Sequence, residues 1–359
     1  MPSSPPGKTA FRGMPVYIGV SLILALLLAL SILLAVTIGT VNIPIQDVYR
    51  VILYKLFRFD RFGEFSRGPV HDIVWLIRLP RIILAGAVGA GLTICGIVMQ
   101  AVVRNPLADP YIMGISSGAS LGATLAILLG IGASLGGGYV GIVAAAGAFL
   151  VSLLVMAAAN LGSRASSIKL LLSGIAIGSA CSAFTAFITF VTDDRQGIQR
   201  ITYWLMGSVA AANWTSNLII CLIVISGALF FITQSRTLNL MLLGDEVSIT
   251  LGTDLHRYRH IYLLVSSLMI GFIVYASGMI GFLGLIIPHF ARMFFGPDHR
   301  KIIPPALLGG GIFLIWADVL SRIIIPNSEL PIGILVSMIG APCFIYLLFR
   351  KTYGFGGGA

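Results

Sequence analysis

The chain has 359 residues, of which 57% are hydrophobic and 10% are charged, and its mean hydropathy is +0.99. A soluble globular domain carries roughly 25% charged residues, so the composition excludes that class and indicates an integral membrane protein. The formal net charge of +10 comes from Lys and Arg residues that stand singly between apolar runs. Such spacing is typical of residues that anchor helix ends in a bilayer, and it argues against a nucleic-acid-binding surface.

Ten apolar runs are long enough to cross a bilayer, which takes about 20 helical residues. The first run follows Lys8 and Arg12 and exceeds the apolar core of a signal peptide, so we interpret it as a retained helix. The least secure boundary separates the seventh and eighth runs, where "ASGMIGFLG" offers only small residues as a turn. The predicted spans are 15–39, 80–103, 110–131, 138–160, 168–191, 214–234, 258–278, 280–295, 304–323 and 331–349.

The basic residues predict the orientation of these spans. With the N-terminus inside, most connections that contain Lys and Arg are cytoplasmic, as the positive-inside rule requires, and both termini are cytoplasmic. The exception is the outer connection 42–79, which itself contains several basic residues. The predicted inner connections contain Arg104, Arg164, Lys169, Arg236, Arg257, Arg259, Arg300, Lys301, Arg350 and Lys351.

Glycine and proline interrupt the third and eighth spans, at 104–122 and 284–292. These two spans run in opposite directions, and interrupted helices at corresponding places of two halves are typical of inverted repeats. The stretches 170–184 and 330–344 form a similar, looser pair in spans five and ten. The sequence therefore predicts one all-α membrane domain over 1–359 with two inverted half-repeats.

Glycines recur four residues apart at Gly114, Gly118 and Gly122, at Gly132 and Gly136, and at Gly174 and Gly178. In lipid, packing drives helix association, and small residues at this spacing let two helix backbones approach closely. The pattern predicts close helix contacts at all three sets.

The sequence contains no recognisable motif for catalysis or for binding a nucleotide or a metal ion. "PPGKT" at 5–9 resembles the end of a phosphate-binding loop, but Pro2 stands where a glycine is required, and no complete loop of this kind occurs in the chain. The sequence has no His-Glu-x-x-His metal motif, and the four cysteines lack metal-type spacing. We therefore predict no enzyme activity and no catalytic, cofactor-binding or metal-binding residues, and any ATP is expected on another chain.

A charged stretch, "LLGDEVSITLGTDLHRYRH" (242–260), separates the sixth and seventh spans and is placed on the cytoplasmic face by the orientation above. From these residues alone, the favoured interpretation is a solvated loop whose charges keep it out of lipid.

Six segments are distinctive when they occur together and in this order: "RLPRIILAGAVGAGLTICGIVMQAVVRNPLADPYIMGISSGASLGA" (78–123), "LLGDEVSITLG" (242–252), "GMIGFLGLIIPHFAR" (278–292), "DHRKIIP" (298–304), "WADVLSR" (316–322) and "ELPIGILVSMIGAPCFIYLL" (329–348). Together they resemble the permease subunit of bacterial type II ABC importers, the family that carries ferric siderophores, haem and cobalamin. The likeness covers nearly all of the chain after residue 75. It implies a homodimer with a translocation path along the dimer axis in the bacterial cytoplasmic membrane. It also implies two cytoplasmic ATPase subunits that bind ATP and Mg, and an extracytoplasmic substrate-binding protein.

The resemblance gives the 242–260 stretch a role and reverses the preference for a solvated loop. In this family the connection between spans six and seven forms short helices that sit in a cleft of the ATPase. The matching ATPase-coupling residues are Gly244, Asp245, Glu246, Val247, Ser248, Leu251 and Gly252.

The resemblance also implies that Arg78, Arg81 and Arg322 dock the binding protein, since the arginine fork pairs well with carboxylates. Two alternatives stay open. Asp318 lies four residues before Arg322, the spacing of an intrahelical ion pair. Arg78 and Arg81 could instead anchor their helix at the lipid headgroups.

Spans five and ten line the dimer axis in the family, which implies a weakly polar pathway. Hydroxyls in membrane helices often bond to their own backbone instead, and that alternative is open for each residue. The nominated pathway residues are Ser173, Ser179, Ser182, Thr185, Thr189, Gly333 and Ser337.

The chain is thus interpreted as the permease of an ATP-driven importer, with a ferric siderophore as the first choice of cargo and haem or cobalamin next. The alternative is a secondary transporter driven by an ion gradient without an ATPase. That class usually needs carboxylates within its spans, and here Asp318 lies close to the outer interface with a basic neighbour. The outer segment 56–72 mixes aromatic and basic residues and is best interpreted as lying on lipid headgroups, with contact to the binding protein or cargo as the alternative.

Overall fold

The computed structural model describes residues 16–111, 113–161, 166–326 and 328–349. Within these ranges the chain is helical and contains no strand. The features used above that lie outside the described residues are Lys8, Arg12, the 5–9 stretch, Arg164, Arg350 and Lys351. The helices are α1 Val16–Thr37, α2 Ile45–Phe57, α3 Pro69–His71, α4 Leu79–Val103, α5 Ile115–Leu129, α6 Tyr139–Ala159, α7 Ser167–Val191, α8 Arg195–Leu205, α9 Trp214–Thr233, α10 Ser235–Leu243, α11 Asp245–Thr250, α12 Leu255–Ser277, α13 Leu283–Phe295, α14 His299–Ile323 and α15 Ile332–Phe349.

A helix lies in each of the ten predicted spans. Among the described residues, seven helices are long and apolar enough to cross a membrane: α1, the continuous helix Pro69–Val103, α6, α7, α9, α12 and α14. Three further apolar helices, α5, α13 and α15, are shorter. The third and eighth spans are shorter than predicted because Gly114 and Phe282, the residues before α5 and α13, adopt left-handed backbone. A non-helical connection therefore leads into each of them, and the connection at 278–282 is the boundary between spans seven and eight.

The connection 42–79 is mostly helical, which its composition did not predict. Helix α2 buries Val48, Val51 and Ile52 against the bundle. The π-helical turn Asp72–Arg78 then leads from α3 into α4 without a break. Helix α8 is likewise outside the predicted spans. Both α2 and α8 are too short and too polar for a criterion based on long apolar runs to find them.

The helices run between two ends of the bundle. At the Arg81 end, α1 and α14 finish and α4, α9 and α15 begin, and the Nε1 of Trp214 donates to the Trp75 carbonyl at 2.9 Å. At the Asn239 end, α4 and α6 finish and α7, α12 and α14 begin. There the Ser167 hydroxyl donates to the Val102 carbonyl at 3.1 Å. Consecutive apolar helices therefore run in alternating directions.

Helix α4 forms the centre of the fold, and most of its residues are buried. Small residues bring its backbone against two neighbours. A methyl group added to Gly89 would lie 2.3 Å from the Gly310 carbonyl oxygen of α14. One added to Gly96 would lie 1.8 Å from the Gly284 carbonyl oxygen of α13. Neither contact leaves room for a side chain, which is how membrane helices gain close packing without help from the hydrophobic effect.

The predicted glycine contacts are confirmed for the first set, wrong for the second and looser for the third, where a methyl group added to Gly178 would lie 3.4 Å from the Ser117 hydroxyl of α5. A methyl group added to Gly118 would lie 2.6 Å from the Gly147 carbonyl oxygen, and one added to Gly122 would lie 2.5 Å from the Val143 carbonyl oxygen, so α5 packs closely on α6. Gly132 and Gly136 instead lie in the turn between these helices, with φ angles of +83° and +89°. Those two glycines allow the chain to reverse, because other residues rarely adopt positive φ.

Replacement of Gly96 by alanine tests the close contact between α4 and α13. We expect Gly96→Ala to destabilise the fold by about 1–3 kcal/mol, the usual effect of an inserted methyl group in a tightly packed core. The measurement is the thermal unfolding midpoint of the purified protein in detergent.

The matched control is Gly309→Ala, because Gly309 is also inside a long helix but an added methyl group would meet no atom within 4 Å. Alanine is favoured over glycine in a helix by up to about 1 kcal/mol, so this variant should unfold at the same temperature or higher. Equal midpoints for the two variants would contradict the packing argument.

Candidate functional site

A buried ionic cluster occupies the Arg81 end. The side chain of Arg81 donates from Nε to Oδ1 of Asp318 at 2.8 Å. Its Nη1 contacts both carboxylate oxygens of Glu329, at 3.0 and 2.8 Å. The Nε of Arg322 lies 3.2 Å from Oδ2 of Asp318. Asp318 is fully buried, so two guanidinium groups compensate one carboxylate that has no access to water.

The other guanidinium contacts at this end satisfy the last carbonyls of α1 and the chain just after it. Nη1 of Arg78 donates to the carbonyls of Val36 and Thr37 at 3.1 and 3.2 Å, and its Nη2 donates to the Val41 carbonyl. Nη1 of Arg322 donates to the Ile38 carbonyl at 3.1 Å. The last carbonyls of a helix lack partners within it, and cations are favourable there.

These contacts bear on the three residues predicted to dock a binding protein. The ion pair between Arg322 and Asp318, the alternative for Arg322, is present. Arg78 and Arg81 are buried inside the chain, so neither side chain extends outward as a lipid anchor would. Docking by the three arginines stays a prediction, and none of them presents its guanidinium at the surface of this chain.

The Asn239 end carries the short helices α10 and α11. Gly244 separates them with φ +99°, and its backbone accepts a hydrogen bond from the buried Ser248 hydroxyl at 2.7 Å. Gly252, with φ +78°, follows the end of α11. Glycines therefore bracket α11. Helix α12 begins at Leu255, so the last six residues of the predicted 242–260 coupling segment form its first turns, and the bounds of that segment stay a prediction.

The charged residues of α11 point in different directions. Asp245 pairs with the buried Arg259 of α12 at 2.8 Å and so ties α11 to the bundle. Glu246 is exposed, as are Val247 (45%) and Leu251 (60%). The solvent-exposed face of α11 and the residue after it thus combines one acidic side chain with large apolar ones. Exposed apolar side chains grouped on one surface of this kind mark an interaction site.

A polar clamp joins α10 to the start of α14. Nδ2 of Asn239 donates to Oδ1 of Asp298 at 2.8 Å, and Oδ1 of Asn239 accepts from the His299 N–H at 2.9 Å. Asp298 also caps α14 by accepting from the Arg300 N–H at 3.1 Å. Partial burial raises the pKa of Asp298, but the hydrogen bonds from Asn239 and the Arg300 N–H outweigh that effect and lower it overall. This clamp was not predicted from the sequence, although an Asp before the apolar run that begins near residue 302 is a helix-start signal.

An open cleft of about 640 Å³ lies between α5, α8, α15 and the 278–282 connection. Gly333 and Ser337, two of the nominated pathway residues, line it. The methionines that line it had no sequence signal, because an apolar residue in an apolar chain does not stand out. The lining residues are Tyr111, Ser116, Leu205, Met206, Met279, Gly281, Gly333, Ile334, Ser337 and Met338.

The five pathway residues nominated on α7 do not line this cleft. The hydroxyls of Thr185 and Thr189 donate to carbonyls of their own helix, at 2.9 and 2.8 Å, as the alternative predicted. Ser182 lies 3.5 Å from the Ser117 hydroxyl of α5, while Ser179 is exposed and Ser173 half-buried. Helix α7 packs on α5 and α6, whereas α15 packs on α13 and α14. Within one chain the two sets of residues are therefore separate.

The described residues include no group of three His, Cys, Asp or Glu side chains that could hold a metal ion.

The FecCD transport family matches residues 27–350 of the chain. The hemin transport system permease protein HmuU of Yersinia pestis is 38% identical over 287 residues, which cover 77% of this chain and 84% of that protein. The vitamin B12 import system permease protein BtuC of Salmonella paratyphi A is 38% identical over 291 residues, with 81% and 87% covered. An uncharacterized ABC transporter permease protein of Bacillus subtilis, YvrB, is 39% identical over 342 residues, with 94% and 92% covered.

Among solved structures, a metal-chelate type ABC transporter in an inward-facing conformation matches with a TM-score of 0.77 and 29% identity. The match covers 93% of this chain and 99% of that one. The likeness therefore extends over nearly the whole chain. The chain belongs to the FecCD transport family, and it is a membrane permease of the ABC importer class and not an enzyme.

Proposed function

We propose that this permease moves an iron chelate from an extracytoplasmic binding protein into the cytoplasm, with a ferric siderophore as the first choice of cargo and haem or cobalamin next. The observation that carries the proposal is the exposed face of α11 at one end of a bundle that belongs to an importer family. Relatives named for hemin and for vitamin B12 support the class of cargo. The uptake experiment below determines which of these molecules is the cargo.

The proposed topology is ten spans with both termini in the cytoplasm of a bacterium. The alternating direction of the ten apolar helices supports it, with α5, α13 and α15 as the short members. Packing also supports two inverted half-repeats of five. Helix α4 packs on α14, and α12 packs on α6. In each pair, the second span of one half contacts the fourth span of the other.

The proposed assembly is a homodimer with the pathway along its axis. Helix α7 has 25 residues, but only 17% of the residues in its 18-residue apolar window are buried, and its exposed side chains include Phe184, Phe187 and Phe190. Met338, which lines the cleft, and Ile339, the next residue of α15, are both exposed and give a second apolar surface. A second copy of the chain that covers these faces would bring the hydroxyls of α7 and the cleft of α15 to one axis.

The proposed energy source is a pair of ATPase subunits that carry ATP and Mg and contact α10 and α11 on the cytoplasmic side. Glu246, Val247 and Leu251 would form the contact. Gly244, Ser248 and Gly252 shape the segment, and Asp245 holds it to Arg259. The family membership supports such a partner. This chain itself contains no phosphate-binding loop in its sequence, so ATP would bind to the partner.

The comparisons do not favour the alternative of an ion-gradient-driven transporter. Such a carrier uses an intramembrane carboxylate that binds and releases an ion. Asp318, which lies in α14, instead forms ion pairs with two arginines.

Charge reversal at Glu246 tests the coupling surface. Glu246→Lys should lower uptake at least tenfold while the chain stays folded and dimeric, because the side chain is exposed and the replacement changes only the surface that the ATPase meets. ATP-dependent uptake into proteoliposomes is the measurement, with size-exclusion chromatography as the check on folding.

Glu64→Lys is the matched control, because it reverses an exposed carboxylate at the opposite end of the bundle. It should leave ATP-dependent uptake near the wild-type rate. Wild-type uptake by Glu246→Lys would remove α11 as the coupling surface.

Reconstituted uptake tests the proposed function as a whole. Proteoliposomes would contain this chain with its co-purifying subunits, and the medium would contain the matching binding protein with labelled ferric siderophores, haem or cobalamin. We expect one cargo to enter only when ATP is at the cytoplasmic face. Uptake driven by an ion gradient without any ATPase would contradict both the importer assignment and the role of α11.

A further inference from the structure

The two carboxylates bound to Arg81 differ in their surroundings. Asp318 is fully buried in α14, and a second arginine also contacts it. Glu329 has a side chain that is 45% exposed, and it lies in the non-helical link before α15. Asp318 is therefore a fixed structural counter-ion, whereas water reaches Glu329.

Glu329 can leave at low cost, and Asp318 cannot. Removing one partner of a buried ion pair strands the other charge, so loss of Asp318 would leave two buried guanidinium groups uncompensated. An ion pair that is open to solvent contributes little stability, because water solvates the carboxylate when the pair separates. Both Glu329 oxygens also contact the same nitrogen of Arg81, so the pair lacks the stronger geometry in which two nitrogens meet two oxygens.

The charge balance of the cluster favours replacement of Glu329 by another carboxylate. Two arginines, Arg81 and Arg322, pair with two carboxylates, so the cluster is neutral, and departure of Glu329 leaves a net charge of +1. Arg81 then has one carboxylate contact fewer, so its Nη1 is the donor that lacks a carboxylate partner. A carboxylate from outside the chain restores the original balance one for one, and a neutral group does not.

We propose that Glu329 is an internal counter-ion that occupies Arg81 in the isolated permease and gives way to a carboxylate of the docking protein. The identity of that partner as a substrate-binding protein rests on the proposed function. The exchange explains how an arginine predicted to dock can be buried in the free chain.

The first experiment measures the exposure of Arg81 without any partner. Phenylglyoxal modifies accessible arginines, and peptide mass spectrometry gives the rate at each position. Glu329→Gln should raise the rate at Arg81 about threefold or more, the size expected for loss of a partly exposed ion pair. The rate at Arg200, which is 65% exposed and far along the chain, serves as the internal reference.

Two further variants make this result decisive. Glu64→Gln removes one exposed negative charge at the same end from a residue that is not a partner of Arg81, so it should leave the rate at Arg81 unchanged. Glu329→Ala removes the whole contact and should match or exceed Glu329→Gln. If neither Glu329 variant raises the rate at Arg81, Glu329 does not shield that arginine and the proposal is overturned.

The second experiment measures affinity for the binding protein, with the permease in nanodiscs and the binding protein on a biosensor. Glu329→Gln should bind about threefold or more tightly than Glu64→Gln, which corrects for the general effect of net charge. Equal or weaker binding, together with faster labelling of Arg81, would reduce Glu329 to a structural counter-ion and overturn the exchange. That result would leave the proposed function intact, whereas failure of the wild-type permease to bind would count against the proposed partner itself.

Discussion

One buried carboxylate determines how the Arg81 end is assembled. Asp318 belongs to α14, Arg81 to α4, and Arg322 extends from the Asp318 contact to the Ile38 carbonyl after α1. A carboxylate in apolar surroundings is unfavourable unless charged partners surround it, so these groups must converge if the chain is to fold. Three helices that are distant in the sequence are thereby fixed at one point.

The same ion pair sets the register of the central helix pair. Helices α4 and α14 are antiparallel, and Gly89 follows Arg81 by the same eight residues that separate Gly310 from Asp318. Eight helical residues span about 12 Å, so the ionic contact and the closest backbone contact fit one alignment of the two helices. A slip by one turn would break both at once. The apolar surfaces of these helices could not impose that alignment, because lipid solvates them in any register.

The sequence predicted the apolar helices well and the polar contacts poorly, for a physical reason. A helix in lipid must form its backbone hydrogen bonds within itself, so the length of the apolar run in the sequence predicts the length of the helix. The pairing of Arg81 with Glu329 joins residues 248 positions apart, and no local pattern contains it. The spacing of Asp318 and Arg322 was predictable because it is an intrahelical one. The brackets around α11 were also predictable, since Gly244 and Gly252 are local signals, whereas the lining of the cleft depends on which of many apolar residues meet across helices.

Helix α14 connects the two ends through polar contacts. It begins at the clamp formed by Asn239 with Asp298 and the His299 backbone, and near its other end it holds Asp318 in the ionic cluster. Its 25 residues span about 37 Å. Because α10 leads directly into α11, the proposed coupling surface is joined to α14 through the hydrogen bonds of Asn239 as well as through apolar packing. The proposed docking contact is joined to the same helix through the ion pair of Arg81 with Asp318. One helix therefore carries polar contacts to both proposed partner surfaces.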